Sequence, residues 1–412
     1  MTKHIAIIGA GVVGLACATQ LQLRGYKVSV IDPRDPGEYC SFGNAGCLSR
    51  ASFVPLGLPG SWKKVPRWLM DPNGPFTVPL QYSLQVLPWL WRLHLATSLK
   101  KINEIADALY PLVDTSIAKW LPLADRAGVR ELIVQKGYAF AYESATGFAA
   151  DSLGREIRTS RGVKIEVITG PEIQEFDPVL SPHLTHLVYL PEQGHCPSPI
   201  RLSRALADTL KINGAKFHNF EVKAFSFSND KVNKIIGDGN EIAIDGVVIC
   251  AGAHSHFLSA MLGSKLPLET ERGYHTVFEA PQISLKVPTC SGEGKWFATP
   301  MEDGIRISGT VELAGLHAPP NYTRADNLGH AVKKLLPNIQ GNSSKNWMGH
   351  RPSLPDSKPV IGRSPKFSNA FFAFGHGHVG LTAAAPTSEI IADLIAGTNP
   401  SMNIKPFAAN RF

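Results

Sequence analysis

The chain lacks the residue groupings that most quickly betray a function. Its six cysteines, Cys17, Cys40, Cys47, Cys196, Cys250 and Cys290, form no C-x-x-C pair and no ligand cluster, so no metal site and no disulfide framework follow from them. Scattered thiols without an export signal read as reduced and cytoplasmic. The apolar opening shows no small-residue cleavage pattern followed by a fresh domain start, and is not read as a signal peptide. No repeat or low-complexity tract occurs. The span Leu80–Leu99 is interrupted by Gln81, Gln85, Pro88, Arg92 and His94, which excludes a transmembrane helix there.

Acid is the scarcer charge, with 34 Asp and Glu against 41 Lys and Arg. The shortage is local. Residues 52–103 hold Lys63, Lys64, Arg67, Arg92, Lys100 and Lys101 against Asp71 alone, together with four of the seven tryptophans, Trp62, Trp68, Trp89 and Trp91. Basic residues mixed with Trp, Leu and Pro describe a peripheral membrane contact, a partner-docking surface, or a cap over a pocket with a solvated rim. No recognition module accompanies them, so nucleic acid is not an expected partner.

What is present begins at residue 3. The apolar run Ile5–Ile8 leads into Gly9-Ala10-Gly11-Val12-Val13-Gly14, a helical stretch follows, and a second apolar run, Val28–Ile31, ends on Asp32. This is the G-x-G-x-x-G dinucleotide fingerprint in its strand–turn–helix–strand context. Gly9 allows the turn, Gly11 admits a pyrophosphate to the helix N-terminus, and Gly14 lets helix and strand pack closely. Asp32 can accept hydrogen bonds from the adenosine ribose. The fingerprint alone leaves NAD and FAD open.

With 412 residues the chain has room for two domains. Helical patterns dominate from Trp89 to Gly128. A second α/β rhythm begins near Pro199 and includes the buried run Gly246–Ile249. From Leu266 to Asn346 the pattern alternates like an antiparallel sheet. A last buried strand, Ala370–Phe374, is followed by Gly375-His376-Gly377-His378-Val379-Gly380 and a helix that Gly397 stops. The expected fold is α/β. A Rossmann-like dinucleotide domain is assembled from residues 1–55, 150–265 and 346–412, and an inserted α+β substrate or cap domain from 56–149 and 266–345. Residues 56–101 within it are the basic, Trp-rich stretch.

In this order the motifs resemble those of the FAD-dependent D-amino-acid oxidase/dehydrogenase superfamily, and most of all its bacterial respiratory D-amino-acid dehydrogenases. The resemblance is carried by the fingerprint with Asp32, by Ser41-Phe42-Gly43-Asn44-Ala45-Gly46, and by Gly194–Leu202 with Pro199. Further along it is carried by Val222, Ala251-Gly252-Ala253, Glu271-Arg272-Gly273-Tyr274-His275, Gly349-His350-Arg351-Pro352 with Pro355-Asp356, and the glycine turn 375–380. It implies FAD contacts from Gly9, Gly11, Val12, Val13, Gly14, Asp32 and Pro33 around the fingerprint. Ser41, Asn44, Ala45 and Gly46 would line the pyrophosphate and ring, with Val222, Ala251 and Gly252 nearer the adenosine. Gly375, His376, Gly377, His378, Val379 and Gly380 would face the flavin. An NAD domain has no need of that distant turn, whereas a helix N-terminus near Gly380 suits the negative charge of a reduced flavin.

Oxidation of an amino acid by hydride transfer needs a carboxylate anchor and a correctly aimed Cα–H, but no obligate base. Arg351 is the expected anchor, because a planar guanidinium holds a carboxylate bidentately. Tyr274 is a second contact or pocket wall, and His376, His378 and Arg50 are further candidates. Arg351, Tyr274 and His376 form the expected catalytic set. Residues 347–351 contain no cysteine, so the FAD is expected to be non-covalent. The implied reaction is oxidative deamination of a D-amino acid, D-proline types included, with electrons passed to a quinone or another carrier. A dioxygen-using oxidase and the FAD subunit of a hetero-oligomeric amine or opine dehydrogenase are the alternatives. The implied location is the cytoplasm or the inner face of the cell membrane.

Overall fold

A computed structural model of the chain describes residues 2–55, 57–60 and 74–412. Trp62, Lys63, Lys64, Arg67, Trp68 and Asp71, part of the basic stretch, lie outside the described residues. Two large sheets organise the rest. The first has six strands in the order Val360–Arg363, Ala370–Phe374, Gly246–Ile249, His4–Ile8, Lys27–Ile31, Lys216–His218. All neighbours run parallel except the first pair. Its central strands are mostly apolar because both faces are covered, one by helices and the other in large part by the small antiparallel sheet Ala224–Ser228, Lys231–Gly237 and Asn240–Ala243. Ile5, Ile7, Val248 and Phe371 are buried in the core cluster that also contains the helices, and Ile8, Ile249 and Phe372 in a second one. The strands of this sheet come from three separate stretches of the chain, 4–31, 216–249 and 360–374.

Two helices meet on this sheet. Val12–Leu23 packs against Gly380–Ala396, whose Ala383, Ala384 and Ala385 are all fully buried and leave room for close approach. The second helix ends on Gly397 in the left-handed conformation, φ 80°. With its preceding turn it is the one helix among the described residues long and apolar enough to cross a membrane, yet it is mostly buried in this core. Trp120, from the helix Ser116–Arg126, donates its indole N–H to Leu381 O at 2.7 Å and ties the helical layer to it.

The second sheet is mostly antiparallel. Its spine is Ser343–Ser353, Glu269–Phe278, Gly304–Leu313 and Phe297–Met301. This sheet runs past two of the four expected boundaries, those at 149/150 and 345/346. The strands Tyr138–Tyr142, Glu166–Thr169 and His186–Leu190 extend this sheet, so the stretch 150–190 belongs with it and not with the parallel sheet. Ser343–Ser353 likewise carries it past residue 346. The reason is that an alternating strand shows which residues point inward but not which sheet will pair with it. After His186–Leu190 the chain leaves this sheet through Gly194–His195, which pairs with Cys47–Leu48.

Candidate active site

A cavity of about 1600 Å³ runs between the two sheets, larger than an ordinary small-ligand pocket. One end is the glycine turn. Gly9 has φ +111°, and a Cβ there would sit 2.4 Å from Cys250 O. A Cβ on Gly14 would fall 1.9 Å from Gly9 O, so this glycine shapes the turn from behind and does not itself line the cavity. Asp32 accepts from Ala10 N at 2.8 Å through Oδ2 and from Arg34 N at 2.9 Å through Oδ1. Two bonds fix a carboxylate with about four acceptor positions, leaving capacity for a ligand hydroxyl. Pro33, Val222, Ala251 and Gly252 continue this end of the cavity.

The loop 41–46 crosses the middle. Ser41 Oγ accepts from Val12 N at 2.9 Å, satisfying a free N–H at the helix start. Asn44 Oδ1 accepts from Gly46 N at 2.7 Å. Ser41, Asn44 and Ala45 line the cavity, whereas Gly46 only shapes the loop, with φ +75° and no room for a Cβ beside Cys196 O. The buried Arg306 clamps this loop by donating to Phe42 O at 3.0 Å and Asn44 O at 2.9 Å. The indole of Trp347 leaves no room for a Cβ on Gly43 or Gly349 and stacks on His275, which burial drives down to a pKa of about 3.

At the far end the turn Gly375–Gly380 faces the antiparallel sheet. Gly375 and Gly377 have positive φ, and the helix beginning at Gly380 aims its N-terminus toward the cavity. His376 is buried and its Nε2 lies 3.1 Å from Thr387 Oγ1 of that helix. Burial lowers its pKa to about 4, so it is neutral at ordinary pH and its ring supports the helix. His378 turns the other way. Its Nε2 lies 2.8 Å from Glu271 Oε2.

Glu271 stands directly opposite Arg351 on the neighbouring strand, and both line the cavity. Burial pushes the Glu271 carboxyl up, but the bond and charge of His378 and the charge of Arg351 outweigh it and hold the carboxyl below its usual range. Arg351 lies over Gly273, where a Cβ would be 2.0 Å from Nη2. Its Nη1 donates to Thr310 O at 2.9 Å and its Nη2 to Gly309 O at 3.4 Å. A guanidinium has five N–H donors, so this leaves it braced but not exhausted. Thr310 adopts φ +59° at this point, where it and Val311 form a bulge in the Gly304–Leu313 strand opposite Gly273.

Tyr274 is among the residues around the cavity, but its side chain is buried in the core cluster of the antiparallel sheet and its hydroxyl is engaged there. It donates to Glu312 Oε2 at 2.5 Å and accepts from Asn321 N at 3.0 Å. Arg50 is not among the residues that line the cavity. Its guanidinium pairs with Asp114 at 2.5 Å and Glu192 at 3.7 Å, away from the cavity wall. The carboxylate that ends the helix Leu99–Asp114 captures it, a tertiary contact that no local motif announces.

Sequence reasoning named neither Glu271 nor Arg306 nor the buried indole of Trp89 as a site residue. Charges on strands that otherwise alternate apolar were the available signal for the first two. Trp89 lines the cavity from the helix Ser83–Leu95, and its buried Nε1 has no protein partner. Cys40 was also unforeseen here. Its thiol lines the cavity and donates to His350 O at 2.9 Å, and burial pushes its pKa up to about 12.

Residues 4–394 match the family described as FAD dependent oxidoreductase. The chain belongs to that family. It is 38% identical to a D-amino-acid oxidase of Bradyrhizobium diazoefficiens, over 100% of this chain and 99% of that protein. It is 28% identical to a D-amino acid dehydrogenase of Rhizorhabdus wittichii, over 99% of this chain and all of the other. Its fold matches glycine oxidase from Geobacillus kaustophilus with a TM-score of 0.79 at 22% identity, each chain covered in full. L-proline dehydrogenase from P. horikoshii gives 0.77 at 22% identity, over 100% of this chain and 98% of that one.

The cavity fits the cofactor of the family. The glycine turn leaves backbone where a pyrophosphate must approach, Asp32 offers free acceptor positions, and a helix N-terminus faces the other end. The reading of the opening fingerprint as half of a flavin site, and not an NAD site, agrees with the family.

Proposed function

We propose that this chain oxidises D-amino acids at the Cα–N bond. The product would be a 2-imino acid that hydrolyses to a 2-oxo acid and ammonia, or a cyclic imine from a D-proline type of substrate. Bound FAD supplies the two-electron acceptor. One observation carries the reading: His378, on the turn that faces the flavin position, is hydrogen-bonded to Glu271, and Glu271 is in direct register with Arg351. A guanidinium able to hold a carboxylate is thereby linked, through Glu271, to the turn that would face the flavin. Arg351 would hold the substrate carboxylate through the donors that Thr310 and Gly309 leave free. Tyr274 would wall the pocket. Glu271 and His378 would meet the amine side. The FAD would be held without a covalent bond, since the nearby Cys40 thiol is kept protonated and therefore a poor nucleophile.

For the electrons the reading favours a quinone or another carrier. A dioxygen-using oxidase is the second reading, favoured by the 38% identical relative that bears the oxidase name. Anaerobic mixing with a panel of D-amino acids and their L counterparts tests the substrate class. Bleaching of the flavin absorbance by D members supports it, and bleaching by none of them, or by L members alone, overturns it. Mixing the bleached protein with air then separates the acceptors, because rapid recovery of colour is oxidase behaviour.

A further inference from the structure

The helix Ser83–Leu95 is apolar on two sides. Val86 and Trp89 are buried, and with Leu90 and Leu93 they turn toward the molecule, where Trp89, Leu90 and Leu93 form part of the cavity wall. On the outer side Leu80, Leu84, Leu87, Trp91 and Leu95 are between 52 and 89% exposed. Their spacing of four, three, four and four residues places them along one face as a continuous ridge. Five large apolar side chains in one exposed row differ from the scattered surface leucines of an ordinary protein.

The charges beside the ridge have one sign. Residues 74–103 contain no Asp or Glu, while Arg92, Lys100 and Lys101 are exposed next to the ridge. Lys101 pairs with Glu104 at 2.7 Å, Lys100 acts on the same carboxylate through its charge alone, and Arg92 has no ion pair among the described residues. A Trp and leucines on one face with an excess of cations at the edge are the chemistry of an interfacial helix on an anionic surface. A second copy of this chain fits less well. A two-fold contact would bring the ridge against itself, and the same cations would then face each other without a counter-charge.

We propose that the outer face of the helix Ser83–Leu95 docks the protein on an anionic lipid bilayer. Docked in this way, the helix separates the lipid from the cavity by the thickness of a single element, whose inner residues already line the cavity. A lipid-soluble electron acceptor would then have a short path from the membrane to the cavity. That last consequence rests on the carrier reading above, whereas docking itself can be measured without turnover.

The test uses the full chain with its FAD, sedimented with vesicles of phosphatidylcholine and with vesicles of equal parts phosphatidylcholine and phosphatidylglycerol. The expected result is binding to the mixed vesicles that weakens with added salt, and little binding to the neutral ones. The double variant Leu84→Glu, Trp91→Glu should bind at least about tenfold more weakly. Arg92→Ala with Lys100→Ala should lose about tenfold on the mixed vesicles only. Both sets of residues are exposed, so flavin absorbance and turnover with a soluble dye should stay at the wild-type level, which shows that the variants are folded. A wild-type protein that leaves the mixed vesicles untouched overturns the proposal. So does a ridge variant that binds as well as the wild type. A third overturning result is a ridge variant that turns a dimer into a monomer in sedimentation equilibrium without any change on vesicles, since the face would then join two copies of the chain.

Discussion

The glycine turn at residues 9–14 and the wall at Glu271 and Arg351 line one cavity, yet they are built on opposite terms. The turn is made by removing side chains. Its shape follows from what the backbone can do within six consecutive residues, and a Cβ at Gly9 or Gly14 would strike main-chain atoms. The wall is made by burying charges that meet only after folding. Glu271, Arg351 and His378 come from three distant stretches and are joined by cross-strand register and one hydrogen bond. The first design tolerates no added atom, and the second tolerates no lost partner. Holding a cofactor common to a family and selecting a substrate are different tasks, and on the function proposed above they fall to different kinds of construction.

The sharpest way to break the turn is Gly14→Ala. The new methyl would lie 1.9 Å from Gly9 O, a main-chain atom that cannot rotate away. The expected cost is about 3 kcal/mol of stability, as for overpacking in a rigid site. Purified protein should also have lost most of its flavin absorbance. A variant with full colour and an unchanged urea midpoint would mean that the helix can slide away from the strand, and the turn would be less rigid than its geometry implies.

The wall should fail differently. Arg351→Lys keeps a positive charge opposite Glu271 but replaces the planar fork by a single ammonium. Losing one charge-assisted hydrogen bond to a substrate carboxylate and misplacing another should raise KM about 100-fold. Flavin content should stay at the wild-type level, because the turn is untouched. An unchanged KM for amino acids would remove Arg351 from the substrate pocket and leave it as a brace for Thr310 and Gly309.

This contrast also explains what the sequence revealed. The strands at 4–8, 27–31, 246–249 and 370–374 were legible because each is a short apolar run next to glycine, and the Gly397 stop is a local rule. Arg351 and the turn at Gly375 were legible through resemblance to a family. Glu271 was in view within the same motif as Tyr274, but its meaning depends on facing Arg351, and register is not written in either strand alone. Arg50 shows the same limit from the other side. It follows the 41–46 loop closely, yet Asp114, 64 residues later, takes its guanidinium. Motifs report the demands of the backbone well and the destinations of long side chains poorly.

Acid should separate the wall from the flavin-facing turn 375–380 on the pH scale. His376 on that turn has its pKa lowered by burial from 6.5 to about 4, so the unfolded chain binds its proton first. The stability it contributes is complete above about pH 6.5 and is lost as the pH falls toward 4. At pH 5 the loss from this one residue is about 2 kcal/mol. Glu271 on the wall has a lowered carboxyl pKa, and its contribution is lost only below the ordinary carboxylate range, about 4.3. His376→Gln should therefore flatten the fall in urea stability between pH 6.5 and 4, whereas Glu271→Gln should leave that interval alone and change the profile below it. Equal slopes for wild type and His376→Gln would show that the ring takes up a proton without leaving its place beside Thr387.

The smallest effect is expected where the two designs overlap, at Asp32. This is a charged side chain within the glycine region, held by Ala10 N and Arg34 N. Asp32→Asn retains one acceptor oxygen and loses the charge, so one of those two backbone donors goes unpaired and the ribose contact weakens. About a tenfold rise in the FAD dissociation constant is expected, close to the value of one charge-assisted hydrogen bond. The useful measurement is a ratio. If Asp32 mainly braces the turn, apo-protein stability should fall by as much as FAD binding does. If it mainly holds the cofactor, as its spare acceptor positions suggest, the apo-protein should change little and the loss should appear in the rate of FAD release. A loss confined to apo stability would place Asp32 with Gly14 among the residues that shape the cradle.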